Sequence, residues 1–185
     1  MRITTIASAT VLAMAAVGLT GPAAHAAPAE PARHCVVDLD DGAVNCYDTF
    51  GEALADATGG RVTALPEDLD KAVGEANAAA KSGAGLLGGG TDLTLSIEYE
   101  DEDFDDSTLT AKGSHECTTD YYDTDYYMPE LGSYWNDEID SFRAYSNCWV
   151  KHFEHSEFRG AWIGPSGDQS DMGWMHDKAS SIVWT

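Results

Sequence analysis

Two polar segments near the C-terminal end of the chain, Asn136-Asp137-Glu138-Ile139-Asp140-Ser141 and His176-Asp177-Lys178-Ala179-Ser180-Ser181, share one layout. Each opens on hydrogen-bonding or carboxylate side chains, passes two freer positions, and closes on an oxygen-bearing residue followed by serine. Each then enters an apolar, strand-like run, at residues 142–145 and 182–184. A hard cation such as Ca2+ takes about six to eight oxygen ligands from carboxylates, carbonyls, hydroxyls and water. One segment alone supplies too few. Two copies facing each other could share ions.

Segments of this kind need a scaffold that brings them together, and a second duplicated element supplies a clue to it. Tyr99 and Glu100, followed by Phe104 and Asp106, match Phe153 and Glu154, followed by Phe158 and Gly160. Both copies set an aromatic, a glutamate, a second aromatic five residues after the first, and a turn residue two further on. Gly160 suits a positive φ, and aspartate can occupy that region at some cost. Each aromatic–glutamate element precedes one polar segment, so four features recur in order, which indicates an internal repeat. Strand patterning surrounds them: Leu93, Leu95 and Ile97 alternate with Thr94, Ser96 and Glu98. Gly, Asp, Ser and Pro clusters separate the later runs, so residues 92–185 read as an antiparallel sandwich of short strands without helix.

The two motifs resemble those of the βγ-crystallin superfamily. There, Tyr/Phe-Glu-x-x-x-Phe-x-Gly marks a folded hairpin and Asn/Asp-Asn/Asp-x-x-Ser/Thr-Ser marks a calcium loop. The resemblance covers residues 92–185. It implies a mainly β fold with two Greek-key motifs packed as a sandwich, the aromatics of each hairpin stacked beneath its turn. It further implies a pair of reciprocal Ca2+ sites. One loop is Asn136, Asp137, Glu138 (through its backbone) and Asp140. The other is His176, Asp177, Lys178 (backbone) and Ser180, with Glu100 and Glu154 giving hairpin carbonyls. The final serines, Ser141 and Ser181, are expected to satisfy backbone groups instead. Two departures stand out. Asp140 sits where the family has a hydroxyl, and His176 replaces Asn or Asp although imidazole suits calcium poorly. At least one working site is expected.

Other chemistries fit less well. In His152-Phe153-Glu154-His155 the histidines are three apart in a strand, so alternation points their rings to opposite sides. A zinc site of the helical HExxH kind needs them on one face. Ser180 and Ser181 beside Asp177 and His176 lack the elbow and spacing of a nucleophile system. The chain is therefore read as non-enzymatic. Tyr121-Tyr122-Asp123-Thr124-Asp125-Tyr126-Tyr127 is too polar to be buried entire and reads as a contact loop. It keeps a second class open, because some secreted bacterial relatives of the superfamily resemble proteinase inhibitors or toxin-like proteins.

Composition sets the surroundings. Residues 1–26 read as a signal peptide, with Arg2 as the charged start, an apolar stretch, and Ala24-His25-Ala26 as the cleavage site. The chain is then expected to be secreted and extracellular, with no membrane span. With 32 acidic against 10 basic residues and a net charge of −22, it would repel nucleic acid and anionic membranes and attract divalent cations and basic partners. Seven carboxylates fall between residues 98 and 106. The expected partners are calcium ions and an extracellular protein.

Four cysteines in an exported chain suggest two disulfides. Of three possible connectivities, the local one is favoured, Cys35 with Cys46 and Cys117 with Cys148. Residues 83–91 read as a Gly-rich linker. Before it, residues 27–82 form a small α+β module: a hairpin around Asp40-Asp41-Gly42, a capping box at Thr49 and Glu52, and a second helix from Pro66 with Leu69, Val73, Ala76 and Ala80 on one face.

Overall fold

The computed structural model describes residues 32–83 and 92–185. The expected signal peptide and almost all of the expected linker lie outside them. The first described elements are the expected hairpin, β1 (His34–Asp38) against β2 (Val44–Tyr47). Gly42 takes φ 77° in the turn and donates its N–H to the Asp38 carbonyl at 2.8 Å. Cys35 and Cys46 face each other across this ladder and are disulfide-bonded.

Helix α1 (Phe50–Ala57) begins where the Thr49 hydroxyl accepts the Glu52 N–H and donates to the Glu52 carboxylate at 2.8 Å, so the expected pair caps the helix, with the carboxylate held by the Thr49 hydroxyl rather than by its backbone N–H. Helix α2 (Leu69–Lys81) starts three residues after Pro66, because Asp68 caps it by accepting the Lys71 N–H. Its apolar face works as expected: Val73 and Ala76 pack with Leu54 and Val62 onto Ile97 and Tyr99.

Those last two residues belong to β3 (Leu93–Asp101), which folds back through a short 3-10 turn into β4 (Asp105–Gly113). Then follow β5 (Tyr126–Met128), a four-residue helix α3 (Gly132–Trp135), β6 (Ser141–Ala144), β7 (Val150–His155), β8 (Arg159–Ser166) and β9 (Ser181–Trp184). The expectation of no helix beyond residue 92 is corrected by α3. It is one turn long, started by Gly132 at φ 76° with no side-chain cap, so no periodic pattern announces it.

The strands form two sheets, ordered β2-β1-β4-β3-β6 and β5-β9-β7-β8. Each holds three strands of one repeat and is bonded to a segment of the other, and the first also carries β1 and β2. Strand β5 of the first repeat crosses to pair with β9. In return, Gln169 of the second repeat exchanges both backbone hydrogen bonds with Phe142 of β6, at 2.9 Å each. This exchange makes the two Greek keys one sandwich. Between the sheets lie Leu95, Leu109, Phe142, Val150, Ile182 and Trp184, all fully or almost fully buried.

A polar cluster sits in that core. Glu98 and His152, each one residue ahead of its hairpin aromatic, meet across the sandwich at 2.9 Å with both side chains fully buried. The Ser96 hydroxyl donates to the other Glu98 oxygen at 2.6 Å and receives the Trp184 indole N–H at 2.8 Å.

The N-terminal elements are not set apart from the sandwich, as a linker at 83–91 would suggest. Strand β1 pairs in parallel with β4 from His34↔Thr108 to Asp38↔Lys112 and extends the first sheet. The second disulfide, Cys117–Cys148, ties the segment after β4 to the connection between the repeats.

Candidate metal centre

The two hairpins are near-copies, and their geometry shows what places the loops. Asp103 and Phe104 have φ values of 57° and 68°, and Glu157 and Phe158 have 60° and 57°. Asp106 at 63° and Gly160 at 81° close the pattern. Asp106 therefore takes the conformation that Gly160 takes without strain. The paired aromatics meet edge to face rather than stacked: Tyr99 and Phe104 at 5.6 Å and 66°, Phe153 and Phe158 at 5.8 Å and 68°. Edge contacts are the favoured arrangement for ring quadrupoles.

Each final loop serine locks its hairpin. Ser141 donates to the Asp101 carbonyl at 2.6 Å and accepts the Phe104 N–H at 3.1 Å. Ser181 does the same with the His155 carbonyl (2.8 Å) and the Phe158 N–H (3.1 Å). As expected from their positions, both serve the backbone. The residue before each serine is fixed in the same way: Asp140 N–H donates to the Tyr99 carbonyl at 3.0 Å, and Ser180 N–H to the Phe153 carbonyl at 2.9 Å.

With the loops so anchored, their oxygens converge across the repeats. The Ser180 hydroxyl lies 3.4 Å from Asp137 Oδ1 and 2.9 Å from the Glu154 carbonyl oxygen. Asp137, at φ 65°, is held by its N–H to the Ala179 carbonyl, and Asn136 Nδ2 donates to its other oxygen at 2.7 Å. On the reciprocal side Asp140 Oδ1 accepts the Asp177 N–H at 2.9 Å, with Asp177 at φ 52°. Lys178 turns its amine to the Trp174 carbonyl, away from the carboxylates. The Glu154 carboxylate accepts the Ala161 N–H of its own hairpin, and only its backbone carbonyl faces Ser180. Glu100 places its carboxylate 3.4 Å from the Tyr134 hydroxyl.

The charge field unites the two loops. Burial, then the charges of Glu100, Asp177, Asp137 and Asp140, push the Glu138 carboxyl above its ordinary range. Burial also raises Asp140; its bond from Asp177 N–H and the nearby His176 oppose the rise, while the Asp177 and Asp101 charges add to it. Carboxylates crowded until they resist ionising are the donor set a hard cation relieves. The oxygens and charges present fit Ca2+.

His176 fits that set least. Its Nε2 lies 2.7 Å from Asp171 Oδ1, and its Nδ1 lies 3.4 Å from Glu102 Oε1 and 3.9 Å from Asp140 Oδ2. Glu102 and Asp171 were not picked out from the sequence. The run of acids at 98–106 is a general signal for the first, and nothing marks the second. The other histidine reading resolves as alternation predicts: His152 is buried on Glu98, whereas His155 is exposed and faces the Glu154 carbonyl.

No family model matches the chain, and no curated protein is significantly similar to it. Solved structures are similar to about half of it, and βγ-crystallin domains are among them. One from Clostridium beijerinckii is 18% identical, with 49% of this chain and 95% of that one covered and a TM-score of 0.38. One from Flavobacterium johnsoniae is 23% identical, with 49% and 93% covered and a TM-score of 0.36. The domain of Abundant Perithecial Protein from Neurospora crassa, solved in its Ca2+-bound form, is 17% identical, with 50% and 88% covered and a TM-score of 0.38.

Proposed function

We propose that the chain is an exported, non-enzymatic calcium-binding protein in which ions shared between the two repeats fix the loops and stabilise the sandwich. One observation carries the reading. The Ser180 hydroxyl has a single hydrogen but faces two acceptors from different elements, Asp137 Oδ1 and the Glu154 carbonyl. Three oxygens converging with one proton among them are satisfied together by a cation. Glu138 and Asp140, both resisting ionisation, add to the demand for positive charge. The ligands assigned are Asn136, Asp137, the Glu138 carbonyl, Ser180 and the Glu154 carbonyl on one side. On the other are Asp140, Asp177 and the carbonyls of Lys178 and Glu100. Export accords with the two disulfides, bonds that persist in oxidising compartments, and with the signal-like residues 1–26. No helix among the described residues is long and apolar enough to cross a membrane.

Calorimetric titration of Ca2+ into the chain and into Asp137→Ala tests this. The variant is expected to lose at least one site. Saturation of the wild type at 100 times the dissociation constant should add about 2.7 kcal/mol to its stability. Superimposable binding curves for the two proteins would refute the assignment.

A second reading, an interaction protein, is favoured by a separate observation. Tyr121, Tyr122 and Trp162 are exposed and line a groove of about 500 Å3 on the second sheet, with Lys151 3.8 Å above the Trp162 ring. Aromatic anchors of this kind dominate protein interfaces. Inhibition of a proteinase that persists in EDTA would favour this reading.

A further inference from the structure

We propose that the outer face of the second sheet docks an amphipathic helix of a partner protein, one with an apolar stripe flanked by carboxylates. Such docking rests on the reading of the chain as an interaction protein and names its partner. The internal repeat identifies the occupant. In the first sheet Ile97 pairs with Arg143, and Tyr99 with Thr108 and Ser141. In the second, Lys151 pairs with Val183, and Phe153 with Trp162 and Ser181, in the same register. Each position on one outer face therefore has a counterpart on the other.

The first face is occupied by helices. Ile97 and Tyr99 pack with Leu54 of α1 and with Val73 and Ala76 of α2, and the Phe50 ring meets Tyr99 edge-on at 6.3 Å. Arg143 donates to Asp70 of α2 at 2.6 Å. The second face keeps an open groove in that position, walled by Phe153, Phe158, Trp162 and Val183. Trp162 is 51% exposed, whereas its counterpart Thr108 is 1% exposed. Charge points to the same kind of occupant. Ile97 with Arg143 becomes Lys151 with Val183, so each cross-strand pair sets one aliphatic side chain beside one cation. Lys151 lies over the Trp162 and Phe153 rings at 3.8 and 4.8 Å, and among the described residues no carboxylate is paired with it. A helix carrying a carboxylate there would do for Lys151 what Asp70 does for Arg143. Helices with apolar residues at i, i+3, i+4 and i+7 lie in grooves in this way, and Trp and Tyr are favoured anchors for such contacts.

The test uses the full chain and a fluorescent peptide of about 15 residues, long enough to form a helix on the surface. The peptide carries leucines at i, i+3, i+4 and i+7 with flanking glutamates, and its control has the same composition with leucines at alternate positions. Anisotropy should report binding of the helix-patterned peptide and not of the control. Affinity should fall roughly tenfold in Trp162→Ser, as loss of a central anchor does. In Lys151→Glu the preference should invert, a lysine-flanked version of the peptide binding better than the glutamate-flanked one. That rescue separates a lost contact from a misfolded variant. Equal or absent binding of the two leucine patterns would overturn the helix, as would equal affinities in wild type and both variants. A chain that is dimeric by light scattering but monomeric as Trp162→Ser would also overturn it, because a second copy would then be the occupant. Proteinase inhibition in EDTA, measured on the same variants, keeps the two readings apart. Inhibition lost in Trp162→Ser without any preference for the helical pattern would overturn the helix and leave the interaction reading standing.

Discussion

At the level of single residues, the charge field between the loops makes a pH signature that calcium should reverse. Burial and neighbouring carboxylates hold the folded-state pKa of Glu138 and of Asp140 above the unfolded values. Groups shifted this way favour the fold fully only below the unfolded pKa. Their contribution is lost as pH rises through the folded pKa, because each must then carry a charge that the fold opposes. In EDTA, the stability difference between Glu138→Gln and wild type should therefore widen in favour of the variant as pH climbs from roughly 4 to 6. Calcium affinity should rise over the same window, since bound carboxylates must be ionised. Urea midpoints for the two proteins across that range, with and without Ca2+, would check it; parallel curves in EDTA would contradict it. The convergence of Asp137 with Ser180 was legible in the sequence, because both motifs repeat in register and a duplicated fold must set them face to face. The pull of Glu102 and Asp171 on His176 was not. The Glu102 contact joins a hairpin turn to a loop 74 residues later, a gap no spacing rule spans, and Asp171, five residues before His176, lies in an irregular stretch with no periodicity to mark it.

Among the elements, the two folded hairpins are the positioning devices, and their equivalence extends to individual hydrogen bonds. Ser141 and Ser181 are fully buried, and each satisfies one carbonyl and one N–H of its hairpin. Replacing either by alanine leaves two buried backbone groups without that partner, at a cost of about 1–3 kcal/mol. The two costs should agree, because the repeats agree, and Ser133→Ala on the exposed turn of α3 should stay within about 0.5 kcal/mol of wild type. Chemical denaturation of the three variants decides this. A neutral Ser141→Ala would mean that the hairpin holds without its serine latch. Patterning disclosed the hairpins from aromatic spacing alone, yet only Gly160 advertised its backbone. Asp103, Phe104, Asp106, Glu157 and Phe158 all adopt positive φ with ordinary side chains. Tertiary anchoring imposes that conformation, and single-residue preference opposes it. The same reason hides α3, a single turn with no cap to signal it.

For the whole molecule, the informative result is where the N-terminal hairpin goes. Turn chemistry, capping and apolar periodicity marked its strands and helices correctly, because these are local signals. Its parallel pairing with β4 is not local: His34 meets Thr108 across 74 residues. A Gly-rich run between them reads as separation, yet the strands on either side of it share one sheet. The consequence is energetic. Without residues before 92, β4 becomes a bare sheet edge, and Ile97 and Tyr99, now 0% and 2% exposed, lose the cover of α1 and α2. Uncovering two such side chains costs about 1.5–3 kcal/mol each. For a chain of this size that corresponds to a fall of roughly 10 °C in melting temperature. The open edge adds a route to association, since unpaired strand groups template further pairing. A fragment of residues 92–185 should therefore melt lower than the full chain and self-associate. Adding Ca2+ should recover part of the melting temperature, since both loops survive, but none of the monodispersity, since the edge stays open. Scanning calorimetry and light scattering read the two effects separately, and a monomeric fragment that melts with the full chain would show that the hairpin and helices do not support the sandwich.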